Sequence, residues 1–311
     1  MESSINIILY KTIVIISFII LIYIYTNNFS NLKKGISEKD IKKKIFTFWE
    51  PKNKIPGYLK LCIETWKKFL PEYEIEILDY ETVKNYLGEI LFSEIICKNM
   101  TLPIQADAIR VSLLQKYGGI WMDTDIIILN GHFIKELENY ELSLLGEEKF
   151  KSQSIGFIYA KKNTQLINKW LNEIKKKVGI YKNALKKNYY NMKFNNSKKL
   201  YIPWNYLGNS IIDKILKNTK RNIFLRLDRN KINDLPEKIF FKNTTLNPIE
   251  KYRNFYFQKR EFNIVTNNSK SLIYLHNSWT PLKYKNMSEK QFLKQDILLA
   301  NLLRYILNKS I

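Results

Sequence analysis

Thr101–Leu129, TLPIQADAIRVSLLQKYGGIWMDTDIIIL, joins a helix-like run, a Gly118-Gly119 break and a short apolar segment that carries two carboxylates, Asp123 and Asp125. From Ile104 through Lys116 the residues Ile104, Ala108, Val111 and Gln115 follow one stripe, and Leu113 and Leu114 widen it. That pattern predicts an amphipathic helix lying against a sheet. The two glycines end the helix, one of them in the left-handed conformation that other residues resist. Ile120, Trp121 and Met122 before the carboxylates, and Ile126 to Leu129 after them, read as a buried strand with an acidic pair at an interruption or edge. In an extended segment Asp123 and Asp125 project to one side and Thr124 to the other.

Two carboxylates on one face allow two readings. They form a strand end facing water, or they share a divalent cation that removes the cost of burying like charges. Oxygen-only ligands favour Mg²⁺ or Mn²⁺ over Zn²⁺. Asp107 and Arg110, three apart, are neighbours on one helix face. They make either a surface pair worth about 0.3 kcal/mol or a functional pair, with Asp107 accepting from a sugar hydroxyl and Arg110 donating to sugar or phosphate oxygens.

Working outward, strand-like runs at Lys44 to Trp49, Glu74 to Leu78, Ile120 to Leu129, Leu142 to Leu145, Ile155 to Ala160, Asn222 to Leu227 and Leu272 to His276 alternate with helix-like ones. This is an α/β rhythm, and 311 residues suffice for one large α/β unit. Glu147 and Glu148 read as surface charge. Lys175 to Lys199 is dense in Lys, Asn and Tyr without a clean period and reads as a variable loop or insertion. Cys62 and Cys97 imply no disulfide framework.

Four blocks together resemble the DXD-containing glycosyltransferases, a group that includes the Och1-like and inositol-phosphorylceramide mannosyltransferases and the bacterial capsular polysaccharide synthesis transferases. They are KIFTFW (44–49), WKKFLPEYEIEILD (66–79), ADAIR with YGGIWMDTD (106–125) and LHNSW (275–279). The resemblance covers roughly Lys43 to Trp279. Ala106 stands where the family commonly has serine, and Gln153 and Ser154 stand near the place of a family asparagine. The resemblance implies a GT-A-like nucleotide-sugar-binding α/β domain with a mixed central sheet, and transfer with retention at the anomeric carbon. It places Trp49 on the nucleotide base and Asp107 and Arg110 on ribose and donor sugar. Asp123 and Asp125 hold Mn²⁺ or Mg²⁺ against the diphosphate, His276 completes the metal shell, and Ser278 and Trp279 close over the leaving group. Asp107, Arg110 and Asp125 are the residues expected to carry catalysis. The donor is a nucleotide-diphosphate sugar and the acceptor a polysaccharide or a lipid-linked glycan.

Two other functions compete with this reading. A haloacid-dehalogenase-type phosphatase also carries D-x-D after an apolar strand, but it expects Thr or Val where Ile127 stands. A catalytically silent glycan-binding scaffold on the same fold would bind sugar without metal-dependent turnover, and nothing in the sequence demands it.

Fifty-one basic residues against 29 acidic ones give a net charge of +22. The basic residues are 44 Lys and only 7 Arg, spread along the chain beside 33 Asn. No nucleic-acid motif accompanies them, so nucleic acid is not the expected partner. Residues 5 to 26, INIILYKTIVIISFIILIYIYT, are long and apolar enough for a retained single-pass anchor. Lysines at 33, 34, 39 and 42–44 follow the span, which favours a cytoplasmic catalytic domain, with a Golgi-lumen arrangement as the alternative. The expected organisation is a membrane anchor at 1–30, a basic linker at 31–42, the transferase domain at 43–285 and a C-terminal helix at 286–311.

Overall fold

The computed structural model describes residues 43–147, 152–192, 202–220, 222–228, 240–261, 263 and 271–309. The expected anchor at 5–26, the linker at 31–42 and Glu148 lie outside the described residues. Among the described residues no helix is both long and apolar enough to cross a membrane.

In chain order the elements begin with β1 (Lys43–Phe48), α1 (Gly57–Phe69), β2 (Tyr73–Leu78), α2 (Tyr80–Leu87), α3 (Glu89–Ile95) and α4 (Leu102–Tyr117). Next come β3 (Gly119–Met122), β4 (Ile126–Ile128), α5 (Ile134–Leu137), β5 (Leu142–Glu147), β6 (Ser152–Ala160), α6 (Gln165–Met192) and α7 (Asn209–Lys217). The last are β7 (Phe224–Asp228), α8 (Pro248–Tyr256), β8 (Leu272–Tyr274), α9 (Leu282–Lys285), α10 (Glu289–Leu293) and α11 (Leu298–Leu307). Six strands form one sheet in the order β2-β1-β3-β6-β5-β7, and β4 pairs with β8 in a second, two-stranded sheet. β1 runs parallel to β3 and β5 parallel to β7, while β6 is antiparallel to both β3 and β5. The fold is therefore mixed α/β with a mixed central sheet, as the sequence implies.

The acidic segment departs from the expected single strand. Instead of one run from Ile120 to Leu129, the chain leaves the large sheet after Met122 and re-enters structure in β4. The Ile126 N–H donates to the Asp123 carbonyl at 3.2 Å, closing a turn over residues 123–126. β4 then pairs with β8 and takes two further bonds from α1. The Trp66 indole N–H donates to the Ile126 carbonyl at 2.7 Å, and the Thr65 hydroxyl accepts from the Ile128 N–H at 2.9 Å. These side chains satisfy backbone groups that a two-stranded ribbon leaves unpaired.

α4 starts with a proline in its first turn, where the missing N–H costs nothing. It ends at Gly118, whose φ is +69°, and Gly119 is left-handed too, at +98°. A Cβ on Gly119 would stand 2.5 Å from the Lys44 carbonyl oxygen, so this glycine also permits the close approach of β1. The helix is not amphipathic in its setting. From Ile104 to Leu114 every residue but Ala106 is buried, because the side turned away from the sheet is covered by α6.

Two other expectations are corrected. Lys175 to Lys199, read as a loop or insertion, is helical to Met192, and its last seven residues lie outside the described residues. The cause is an apolar series at helical spacing, Leu166, Trp170, Ile174, Val178 and Tyr181, all buried against α4 and the sheet. Residues 286–311, expected as one helix, form two, because the Leu298 N–H donates to the Gln258 carbonyl at 2.8 Å and Ile297 is extended. Both helices belong to the core that surrounds α1. A Cβ at Gly57 would stand 2.5 Å from the backbone at residues 287–289, so the C-terminal segment docks directly on the start of α1.

Candidate active site

The strand ends that matter share one edge. β1 and β3 are parallel with Phe46 opposite Trp121, so Trp49 and the Asp123–Asp125 turn both lie beyond the carboxyl ends of adjacent strands. Open α/β sheets bind ligands in that position. Trp49 is half-buried, and its N–H donates to the Leu78 carbonyl at 2.9 Å.

Asp107 and Arg110 are not a surface pair. Both are 5% exposed, and Arg110 Nη2 lies 3.3 Å from Asp107 Oδ1 and 3.4 Å from Asp123 Oδ1. The guanidinium also donates to the Ile155 carbonyl and lies over the Trp121 ring at 4.9 Å. One cation thus links the helix, the acidic turn and β6, a task suited to the fixed fork of arginine. Trp121 contributes twice, since its indole N–H also donates to Asp123 Oδ1 at 2.8 Å.

Asp125 stands differently from Asp123. Its Oδ2 accepts from the Asn277 N–H at 2.9 Å, and its own carbonyl accepts from the Leu275 N–H at 2.9 Å. The Asn277 side chain is held in turn by the Tyr58 hydroxyl, which donates to Oδ1 at 2.6 Å. The half-buried Asp125 is therefore fastened to the LHNSW block, while the Asp123 side chain is about 38% exposed. The alternation expected of an extended strand is replaced by a turn, and the two acids remain electrostatic neighbours.

Burial pushes the Asp125 carboxyl from 3.8 up to about 7, with the Asp123 charge adding to the rise and the Asn277 N–H opposing it. Asp107 is also pushed up to about 7, mainly by burial; Arg110 pulls it down and Asp123 raises it further. For both acids desolvation outweighs the favourable contacts. Because these carboxyls hold their protons to higher pH in the native state, the unfolded chain binds fewer protons between about pH 4 and pH 7, and stability falls as pH rises. A rise from 3.8 to about 7 corresponds to roughly 4 kcal/mol per group, present below both values and lost above pH 7. In chelator, the melting temperature is therefore expected to drop markedly from pH 5 to pH 8, and a pH-independent melting temperature would contradict this arrangement.

Two glycines missed by motif reading shape the centre. A Cβ on Gly156 would meet Asp123 Oδ2 at 2.9 Å, and one on Gly208 would meet Asp107 Oδ2 at 2.5 Å. Gly156, inside the apolar run SIGF, carries a signal for close approach that the sequence does offer. Gly208 carries none. Gly156→Ala is expected to displace the Asp123 carboxylate and lower turnover at least tenfold while the protein stays folded, as circular dichroism and a turnover assay would show.

The LHNSW block brings two of its rings together against a third from α8. His276 and Trp279 are half-buried with ring centroids 3.9 Å apart, and Tyr252 approaches both at 5.5 and 5.8 Å. Ser278 is exposed. The link from this block to the acidic centre runs through the Asn277 backbone, which the motif did not single out.

A divalent cation suits the acid pair in part. Asp125 beside Asp123 is the kind of like-charge pair a cation relieves, and Mg²⁺ characteristically takes one or two carboxylates with substrate phosphates supplying further oxygens. The expected set of Asp123, Asp125 and His276 is not gathered: among the described residues no group of three or more His, Cys, Asp or Glu side chains is placed to hold a metal ion. The His276 ring lies instead against Trp279.

The model of the capsular polysaccharide synthesis protein family matches residues 19–172, the stretch that holds Trp49, Asp107, Arg110, Asp123 and Asp125. Over that stretch, 154 of its 311 residues, the chain is similar to the capsular polysaccharide synthesis proteins. Among solved structures it is similar to the PaToxG glycosyltransferase, at 19% identity over 57% of this chain and 69% of that one, with a TM-score of 0.36. It is also similar to the glycosyltransferase GlyE of Streptococcus pneumoniae TIGR4. The apo form matches at 11% identity over 86% of this chain and 62% of GlyE, with a TM-score of 0.40, so the chain spans less than two thirds of that protein. A second GlyE structure gives 10% identity and a TM-score of 0.42. No protein of curated function matches the sequence.

Proposed function

We propose that this protein is a glycosyltransferase that moves a sugar from a nucleotide-diphosphate sugar to a polysaccharide or glycolipid acceptor on a GT-A-like domain, depends on Mn²⁺ or Mg²⁺, retains configuration, and is held at a membrane by residues 5–26 with its catalytic domain in the cytoplasm. The observation that carries the reading is the joining of Asp107, Arg110 and Asp123 through one guanidinium, with Asp125 beside them at the carboxyl edge of the sheet. A divalent cation on the two carboxylates would stabilise the negative charge that grows on a departing diphosphate. Arg110 presents fixed positive charge at the same place without reorganising, which favours the transition state over the ground state. In this reading Asp107, in the first half of α4, accepts from a sugar hydroxyl, and Trp49 stacks on the base. Asn277 and Trp121 orient the two carboxylates.

The test incubates the full-length chain, in uncharged detergent, with a panel of UDP- and GDP-sugars and Mn²⁺ and follows nucleotide release. Release from one donor, abolished by EDTA, is expected. If no donor binds or turns over with metal present, the catalytically silent scaffold becomes the better reading.

A further inference from the structure

Away from the acidic centre, α6 and α7 enclose an open cleft of about 530 Å³, within the roughly 300–1,000 Å³ usual for small-ligand sites. Its walls carry Lys169, Lys177 and Lys214 against one acid, Glu173, with Asn172 and Ser210 among the neutral polar groups. Three cations and one carboxylate leave two positive charges in excess. We propose that this cleft binds an acidic sugar unit of the acceptor glycan, its carboxylate or phosphate lying among the three lysines. The word acceptor rests on the transferase reading above; the ligand chemistry does not.

Lys177 is the built part of the cleft. Its Nζ donates to the Tyr206 carbonyl at 2.7 Å and to Ser210 Oγ at 2.8 Å, and it lies 4.5 Å from the centre of the Tyr206 ring. The ammonium is held in place on one side and leaves its remaining proton for a ligand. Burial and the nearby Lys214 push its pKa down while Glu173 opposes them, so the charge of an anion entering the cleft would favour the ammonium form. The amide and hydroxyl groups of Asn172, Ser210, Asn218 and Thr219 suit sugar hydroxyls.

The position of the cleft supports an acceptor. α7 lines it with Ser210 and Lys214, and Gly208, just before α7, is packed against Asp107. Lys214 is six residues further on, about 9 Å of helix. The turn leading into Gly208 is closed by the Tyr206 N–H donating to the Pro203 carbonyl at 3.0 Å and the Ser210 N–H donating to the Asn205 carbonyl at 3.2 Å. On it Trp204 is 70% exposed, an unusual setting for so large an apolar ring and a suitable face for stacking a sugar. A glycan anchored among the lysines has a short path along α7 to the catalytic carboxylates.

Titration calorimetry on the full-length chain, in an uncharged detergent without sugar headgroups, would compare tetragalacturonate with its methyl ester, which has the same backbone and no charge. The Lys169→Ala/Lys214→Ala variant is compared with Lys290→Ala/Lys294→Ala, which removes equal charge from exposed positions in the C-terminal segment. The expected result is at least tenfold weaker binding of the acid in the first variant, less than twofold change in the second, and weak binding of the ester to all three proteins. Competition by inorganic phosphate, compared with competition by galacturonate monomer, distinguishes a phosphate-bearing sugar from a uronic acid. Equal losses in the two variants would assign the binding to the diffuse +22 field and overturn the proposal, as would no binding of the acid by the unmodified chain. Donor hydrolysis measured on the same samples reads the acidic centre separately, so a cleft without ligand and a centre without turnover give different results.

Discussion

Arg110→Ala is expected to lower stability by about 3–5 kcal/mol and to abolish detectable transfer, because it leaves the buried Asp107 without its ion-pair partner. The lost contacts are not interchangeable. The guanidinium bridges Asp107 and Asp123, donates to the Ile155 carbonyl and covers the face of Trp121, so four structural parts lose their common neighbour at once. Arg110→Lys keeps the charge but replaces a planar fork by a point, and should recover part of the stability with little of the activity. Urea unfolding at pH 7 with a parallel turnover assay would measure both. A loss below 1 kcal/mol for the alanine variant would mean that the acids find other partners and that Arg110 is not the hub.

Asp125→Asn should separate activity from stability. The substitution keeps the shape and lets the side-chain oxygen accept from the Asn277 N–H, but it removes a carboxylate that burial makes costly to ionise. At pH 8 in chelator the variant is expected to melt at or above the wild-type temperature, and its pH dependence should be shallower by the share that Asp125 contributes. Metal-dependent nucleotide release should fall at least 100-fold, since charge stabilisation at the leaving group loses one of its two anionic ligands. Stability and activity thus move in opposite directions, as expected where a site is arranged for function at some cost to folding. A variant that keeps its activity would remove Asp125 from the catalytic assignment.

Much of this arrangement was legible because it is local. The helix from Ile104, the glycine break and the apolar strand follow from periodicity, and each expected strand has an observed counterpart within a few residues. The acids at an interruption were legible too, but not the form of the interruption. Alternation requires the backbone to stay extended, and here the chain turns and changes sheets between Met122 and Ile126. That change depends on β8, about 150 residues away, which no local pattern can announce. The burial of α4 on all sides was hidden for a similar reason, because it depends on α6, whose lysines and asparagines mask the apolar series Ile174, Val178 and Tyr181. Arg110 and Asp107 were identified by spacing, but their sharing of Asp123 is a tertiary fact. Asn277 acts through its backbone N–H, a group every non-proline residue carries and composition therefore cannot reveal.

The pairing of β4 with β8 also sets an order of events during synthesis. Asp125 is positioned by bonds from Leu275 and Asn277, so its carboxylate has no fixed place until those residues have left the ribosome. A nascent chain already holding β1, α4, β3 and β6 has much of its large sheet but an unfinished acidic edge, and premature termination before residue 272 would leave β4 without its partner strand and Asp125 without both of these bonds.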